Sequence, residues 1–298
     1  MSPPRIFDRT LIRRRLARAA RASPAEFLIE HVAGDLAERL APILRKFQVA
    51  IDLGGVTAHV AQALSRSGKA ETVLRLAALP LSAPSSFPVA IADEEVLPLG
   101  KGSVDLVASL LSLQAVNDLP GVLTQIKRAL RPDGFFIGCL LGAESLTELR
   151  QSLAQAETEL SAGVSPRVAP FADAREAGAL LQRAGFTLPV TDLERLTVRY
   201  PDAFALMRDL RAMGMANPLV ERARAPLRRA TFLRSAQIYA ERFADADGRL
   251  RATFDLVWLS GWAPHESQQR PLQPGSAKAR LADALGVSEF KSGEKAKP

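Results

Sequence analysis

Val49-Ala50-Ile51-Asp52-Leu53-Gly54-Gly55 is an apolar run that closes on Asp-Leu-Gly-Gly. It has the length of a buried strand, and its glycines let the backbone leave a sheet sharply and approach a ligand closely. Gln48 to Gly55 is therefore expected to be a buried strand that opens a nucleotide-type cofactor site. The continuation, Val56-Thr57-Ala58-His59, carries no further glycine, and the Cβ atoms of Thr57 and Ala58 crowd a loop meant to wrap a ligand. The segment argues for a fold more strongly than for a bound cofactor.

Working outward, apolar strands alternate with helical spacing. A helix is expected over Thr57 to Ser67, strands over Thr72 to Leu79, Pro88 to Ala92 and Val104 to Leu113, and a helix over Leu119 to Leu130. Arg131-Pro132-Asp133-Gly134 reads as a turn before a strand over Phe135 to Leu141. Helices follow at Ser145 to Leu160 and Asp173 to Gly185, then a strand near Val190 to Tyr200. Helices at Asp202 to Met213 and Pro226 to Phe243 precede a last strand at Arg251 to Leu259, the seventh. Parallel strands need crossover helices and are buried on both faces, so the pattern predicts a doubly wound, mostly parallel α/β sheet of seven strands, with helical additions at both ends.

Upstream, Ser23-Pro24-Ala25-Glu26 has the spacing of a capping box. Leu28, Val32, Leu36, Leu40 and Leu44 recur every fourth residue, one stripe of a helix that Pro42 interrupts near its end. Ahead of it, Met1 to Ala22 holds seven arginines (Arg5, Arg9, Arg13, Arg14, Arg15, Arg18, Arg21) against Asp8 alone, a net +6 of the chain's +7. The division expected is a basic arm over 1–22, a main domain over 23–264 with a cofactor half at 48–143 and a second half at 144–264, and a mostly irregular tail over 265–298 whose last residues are mobile. The arm suits a transit peptide, a clamp for nucleic acid or anionic lipid, or a solvated helix face. Few aromatics interleave its arginines, so it gives no strong nucleic-acid signal.

The 298 residues, 47% hydrophobic and 24% charged, have the composition of a globular protein. No apolar run reaches the roughly 20 residues of a spanning helix, and the N-terminus lacks the apolar core of a secretory signal. The one cysteine, Cys139, lies in an apolar run and is expected to be an inert core thiol; it excludes an internal disulfide and a multi-cysteine metal site. A reducing, cytoplasmic compartment fits, with a peripheral position at the inner membrane available through the arm.

Four stretches stand in order: Val49 to Gly55, Ala92-Asp93-Glu94-Glu95-Val96-Leu97-Pro98-Leu99, Ser103-Val104-Asp105-Leu106-Val107-Ala108-Ser109, and Leu130-Arg131-Pro132-Asp133-Gly134-Phe135-Phe136. Together they resemble the class I S-adenosylmethionine-dependent methyltransferase family. The resemblance implies a Rossmann-like methyltransferase sheet and S-adenosylmethionine as cofactor, with Asp52, Gly54 and Gly55 in the first loop and Asp93 with Glu94 toward the adenine. The acid that the family places at the end of the second strand, for the ribose hydroxyls, is missing from Leu76-Ala77-Ala78-Leu79-Pro80.

Further stretches narrow the resemblance: Ile6-Phe7-Asp8-Arg9 with Arg13-Arg14-Arg15, Ser165-Pro166-Arg167-Val168, Leu206 to Gly214, and Trp262-Ala263-Pro264-His265-Glu266-Ser267-Gln268-Gln269. They are similar to the bacterial relatives of a mitochondrial complex I assembly factor. That resemblance implies hydroxylation of an arginine in the iron-sulfur subunit of complex I, an arm that belongs to the mature protein, and His265 and Glu266 as weak substrate-binding candidates.

No metal site is expected, because His31, His59 and His265 are the only histidines and no spacing brings two together. His31 reads as solvated and His59 as first-turn residue of the helix after the loop. Asn117 or Asp118 reads as a helix cap. No residue is assigned to catalysis. Two functions stay open: an enzyme acting on a protein arginine, by hydroxylation or methyl transfer, and a non-catalytic assembly chaperone whose cofactor site has degenerated. Nucleic-acid methylation lacks the proline-rich tetrad of amino-methylating enzymes.

Overall fold

The strands lie in the order β3-β2-β1-β4-β5-β7-β6, where β1 is Phe47–Leu53, β2 Ala70–Ala77, β3 Val89–Ile91, β4 Val104–Leu110, β5 Leu130–Leu141, β6 Thr187–Tyr200 and β7 Leu250–Trp262. The structure, a computed structural model, describes residues 5–80, 84–161, 163–269, 276, 283 and 285–287. Strands β1 to β5 are parallel, whereas β7 runs antiparallel between β5 and β6. From β1 the chain steps outward to β2 and β3, then crosses back to β4 on the other side. The strand order therefore reverses between β1 and β4, the place where open α/β sheets hold ligands.

The helices are α1 Arg9–Arg21, α2 Phe27–Leu40, α3 His59–Arg66, α4 Leu119–Ala129, α5 Thr147–Leu160, α6 Ala174–Ala184, α7 Ala203–Ala212 and α8 Arg229–Phe243. Neighbouring strand residues serve opposite layers. Ala50 joins Leu28, Val32, Leu36 and Leu64 on one face, while Ile51 and Leu53 join Val122, Ile126 and Leu181 on the other. Every residue of β4 is buried. Each fully buried leucine of these layers contributes about 1.5–3 kcal/mol relative to an exposed one.

The start of α2 differs from the expected capping box. Ser23 is exposed, the helix opens at Phe27, and no side chain caps it. The Glu26 carboxylate is drawn instead to His59, Oε2 to Nε2 2.8 Å. The stripe holds through Leu40, but Leu44 lies beyond the helix end and is 96% exposed. His31 is half-buried rather than solvated, with Nε2 2.8 Å from Glu194 Oε1. The turn at 131–134 forms inside β5: Val104 pairs with Leu130 and Leu106 with Phe135, so Arg131 to Gly134 bulge outward around Asp133 at φ +60°. The expected cap at Asp118 forms, accepting the Gly121 N–H at 2.8 Å.

Residues 1–264 make one unit and 265–298 a second. Most of the expected irregular tail lies outside the described residues. Within the second unit His265 and Glu266 are exposed, and His265 Nδ1 is 2.6 Å from Ser267 Oγ. No described helix is long and apolar enough to cross a membrane.

Candidate functional site

At the carboxyl end of β1 the chain turns at Gly54, whose φ of +84° favours glycine. Its N–H donates to Leu76 O at 2.7 Å. A Cβ built there would lie 2.5 Å from Ser112 Oγ and 2.7 Å from Ser112 Cβ. Ser109 and Ser112, at the exit of β4, donate to Leu53 O at 3.0 and 3.2 Å. The first loop is thus fastened to both neighbouring strands.

Asp52 stands directly across from Arg75 of β2. Arg75 Nε donates to Asp52 Oδ2 at 3.1 Å, and its Nη2 donates to the carbonyls of Gly55, at 3.3 Å, and Thr57. Both residues are at most 3% exposed. Burial pushes the Asp52 carboxyl up to about 6 against the attraction of Arg75. Asp52 is absent from the cavity wall and braces the loop through Arg75. A single arginine inside the apolar stretch Thr72 to Leu79 was the available signal for this brace, and sequence reasoning passed over it.

A cavity of about 1200 Å³ opens at this edge of the sheet. The loop Gly54 to His59, Leu79-Pro80, Glu94, Leu110 to Ser112, Gln114 and Ala115 wall it on the sheet side, and residues of α1, Met207 and Leu210 to Pro218 wall it opposite. Gly54, Gly55 and Glu94 face it. Asp93 does not line it; Arg9 and Arg13 hold it, Arg9 Nη2 to Oδ1 2.8 Å and Arg13 Nη2 to Oδ2 2.5 Å. Arg9 Nη2 also pairs with the Glu94 carboxylate. Burial pushes the Asp93 carboxyl up, but the Glu95 N–H together with Arg9 and Arg13 outweighs it and holds the group below its usual range.

The segment before α1 is tied to the same edge. Asn117 Oδ1 accepts the N–H groups of Ile6 and Phe7 at 2.9 and 2.8 Å, and Asp8 N–H donates to Pro218 O at 2.8 Å. The basic arm is thereby part of the folded body, while Arg14, Arg18 and Arg21 stay exposed on α1. Across the cavity, Glu26 and His59 meet at its rim, with Glu30 Oε1 3.9 Å from His59 Nε2. Glu26 was read as half of a capping box, which hid its place here. Cys139 is buried, and burial pushes its thiol well above the ordinary range.

The residues fit an adenosyl cofactor by shape. The Gly54-Gly55 turn opens onto the cavity, and its volume exceeds the roughly 300–1,000 Å³ of small-molecule sites. At the end of β2 Ala77 and Ala78 are buried, Leu79 and Pro80 line the cavity, and no carboxylate stands there for a ribose. Glu94 is the acid that faces the cavity on this side.

A reversed-order parallel sheet with a glycine turn after β1, an acidic pair after β3 and a cavity at the switch point defines a class I methyltransferase-like protein. Residues 33–138 match the methyltransferase domain family. In sequence the chain is 42% identical to the human mitochondrial arginine-hydroxylase NDUFAF5, over 93% of this chain and 83% of that protein. It belongs to the family of these NDUFAF5 arginine-hydroxylases. It is also 33% identical to a malonyl-[acyl-carrier protein] O-methyltransferase of Xylella fastidiosa, over 87% of this chain and 89% of the other. Among solved structures, the YcgJ protein of Bacillus subtilis shares the fold with a TM-score of 0.53 at 13% identity, over 79% of this chain and 99% of that one.

Proposed function

We propose that this protein hydroxylates an arginine side chain in the iron-sulfur subunit of respiratory complex I during assembly, working in the cavity at the carboxyl edge of its sheet. The observation that carries the reading is the likeness to proteins named arginine-hydroxylase along nearly the whole chain. S-adenosylmethionine would lie along Gly54 and Gly55, with its adenine toward Glu94. Hydroxylation is a two-electron oxidation that takes its oxygen from an external oxidant such as dioxygen; S-adenosylmethionine, when bound, supplies an electrophilic methyl group on a sulfonium centre, the chemistry of methyl transfer. The chain's own residues position it: Arg75 and Asp52 brace the loop, and Arg9 holds the acidic pair in place. His265 and Glu266 remain candidates for substrate contact. Work in the cytoplasm at the face of the inner membrane is consistent with the exposed arginines of α1, which would meet anionic lipid.

One observation favours a second reading, a non-catalytic assembly chaperone. The end of β2 offers a ribose no carboxylate, and Arg9 already engages both Asp93 and Glu94. Calorimetric titration of the full chain with S-adenosylmethionine separates the two. Micromolar binding that Glu94→Ala weakens supports the enzyme; no heat at millimolar cofactor leaves the chaperone. The mass of the subunit from cells with and without this chain then identifies the product, since hydroxylation adds one oxygen and methylation one CH₂.

A further inference from the structure

We infer that Glu26 is the carboxylate that receives the guanidinium of the substrate arginine, oriented by His59 and backed by Glu30; the inference rests on the arginine-modifying reading above. Among the described residues, Glu26 and Glu94 are the only carboxylates on the cavity wall. Glu94 is 5% exposed and pairs with Arg9, so it is committed to the chain's own guanidinium. Glu26 is about one-third exposed, and its Oε2 takes a single partner, His59. Its Oε1 has no hydrogen-bond partner among the described residues. An ionised carboxylate offers about four acceptor directions, so Glu26 keeps most of its capacity for a ligand.

Among the described residues no arginine or lysine pairs with Glu26 or Glu30, although Arg21, Arg167 and Arg211 also line the cavity. Glu30 follows one turn later on α2, and two carboxylates face one imidazole, so the group is negative whichever state His59 adopts. Glu26 stands at the N-cap position of α2 without capping it, and His59 opens α3, so the pair sits where two helices begin. A guanidinium matches a carboxylate through two parallel N–H···O bonds, which a point-charge ammonium cannot make. Met213 and Met215 line the same cavity on its opposite wall, flexible thioethers that adapt to the unbranched stem of an arginine. His59 directly follows the Gly54 to Ala58 loop, so a side chain held by Glu26 shares a wall with the cofactor, the proximity a positioned reaction requires.

The test uses the full chain with ¹⁵N-labelled histidine and two probes, N-acetyl-arginine amide and N-acetyl-lysine amide, with and without S-adenosylmethionine. The arginine probe should shift the His59 ring resonances and leave His31 unmoved, and the lysine probe should bind at least tenfold more weakly. Glu26→Gln should weaken the arginine probe at least tenfold while cofactor titration and the circular dichroism melt stay at wild-type values, and Glu26→Asp should recover part of the loss. If Glu26→Gln fails to fold, His59→Gln replaces it, with a smaller loss expected. Arginine binding indifferent to both variants overturns the inference even where the cofactor binds. Arginine binding that depends on Glu26 in a protein silent to S-adenosylmethionine keeps the inference and removes the enzyme reading. Micromolar Mn²⁺ broadening of His59 with no response to arginine makes the cluster a metal site and also overturns it.

Discussion

Arg75 Nε and Asp52 Oδ2 lie 3.1 Å apart on adjacent parallel strands, directly opposite in register and almost without exposure. The pair carries the first loop, because the same guanidinium gathers the carbonyls of Gly55 and Thr57. Burial raises the folded Asp52 carboxyl to about 6 from 3.8, so the folded state binds the proton more tightly than the unfolded chain does. The group's contribution to stability is full below about pH 4 and is lost as pH rises to about 6. The advantage of wild type over Asp52→Asn should therefore fall by up to about 3 kcal/mol across that window and stay level above it, as read from urea midpoints at several pH values. An advantage that grows over the same window would mean that Arg75 dominates burial.

Removing the cation has the opposite character. Arg75→Leu at pH 8 leaves a buried ionised Asp52 without its partner and frees two loop carbonyls, and loss of one member of a buried pair costs about 3–5 kcal/mol. The double variant Arg75→Leu with Asp52→Leu should recover most of that, since an apolar pair of similar volume is tolerated. Chemical denaturation of the four proteins of the cycle checks the coupling. Additive losses would dispose of the brace.

Gly54→Ala should destabilise the protein by roughly 1–3 kcal/mol, from a left-handed backbone without glycine and from a Cβ driven against Ser112. Gly68, at φ +63° with nothing near its Cβ, supplies the control. Gly68→Ala bears the backbone strain alone, so the difference between the two melting temperatures isolates the clash at Ser112. Equal losses at both positions would show that Ser112 yields freely.

The fold was legible because each strand from β1 to β5 carries its apolar run in local sequence, and because alternation with helices allows few topologies. The site was less legible. Asp52 and Gly54 announce themselves beside each other, yet Arg75 reads alone as one polar residue in a strand, and only register sets it opposite Asp52. Glu26 fits a capping box by spacing, and the box loses because His59 competes for the same carboxylate in three dimensions. Asn117 or Asp118 reads as a cap, and while Asp118 takes that place the Asn117 amide clasps Phe7 from 110 residues away. A distance of that kind leaves no periodic trace.

Arg9 provides the last test, because it joins the arm to the acidic pair. It touches Asp93 and Glu94, and Glu95 Oε1 lies 3.8 Å from its Nε. Arg9→Ala leaves three neighbouring carboxylates with Arg13 as the one cation paired with Asp93 among the described residues. The loss should be roughly 2 kcal/mol, above the 0–1 kcal/mol of an exposed pair and below that of a fully buried one, since Arg9 is 15% exposed. The Asp93 carboxyl is held below its ordinary value partly by Arg9, so this stabilisation is present above about pH 4 and is lost as pH falls through the depressed folded value. The gap between wild type and Arg9→Ala should accordingly be constant near neutrality and close in acid. Hydrogen exchange localises the effect: the Phe7 amide, bonded to Asn117 at 2.8 Å, should exchange faster in Arg9→Ala, while the amides of β4 keep their protection. Unchanged exchange at Phe7 would mean that Asn117 and Pro218 hold the segment without Arg9.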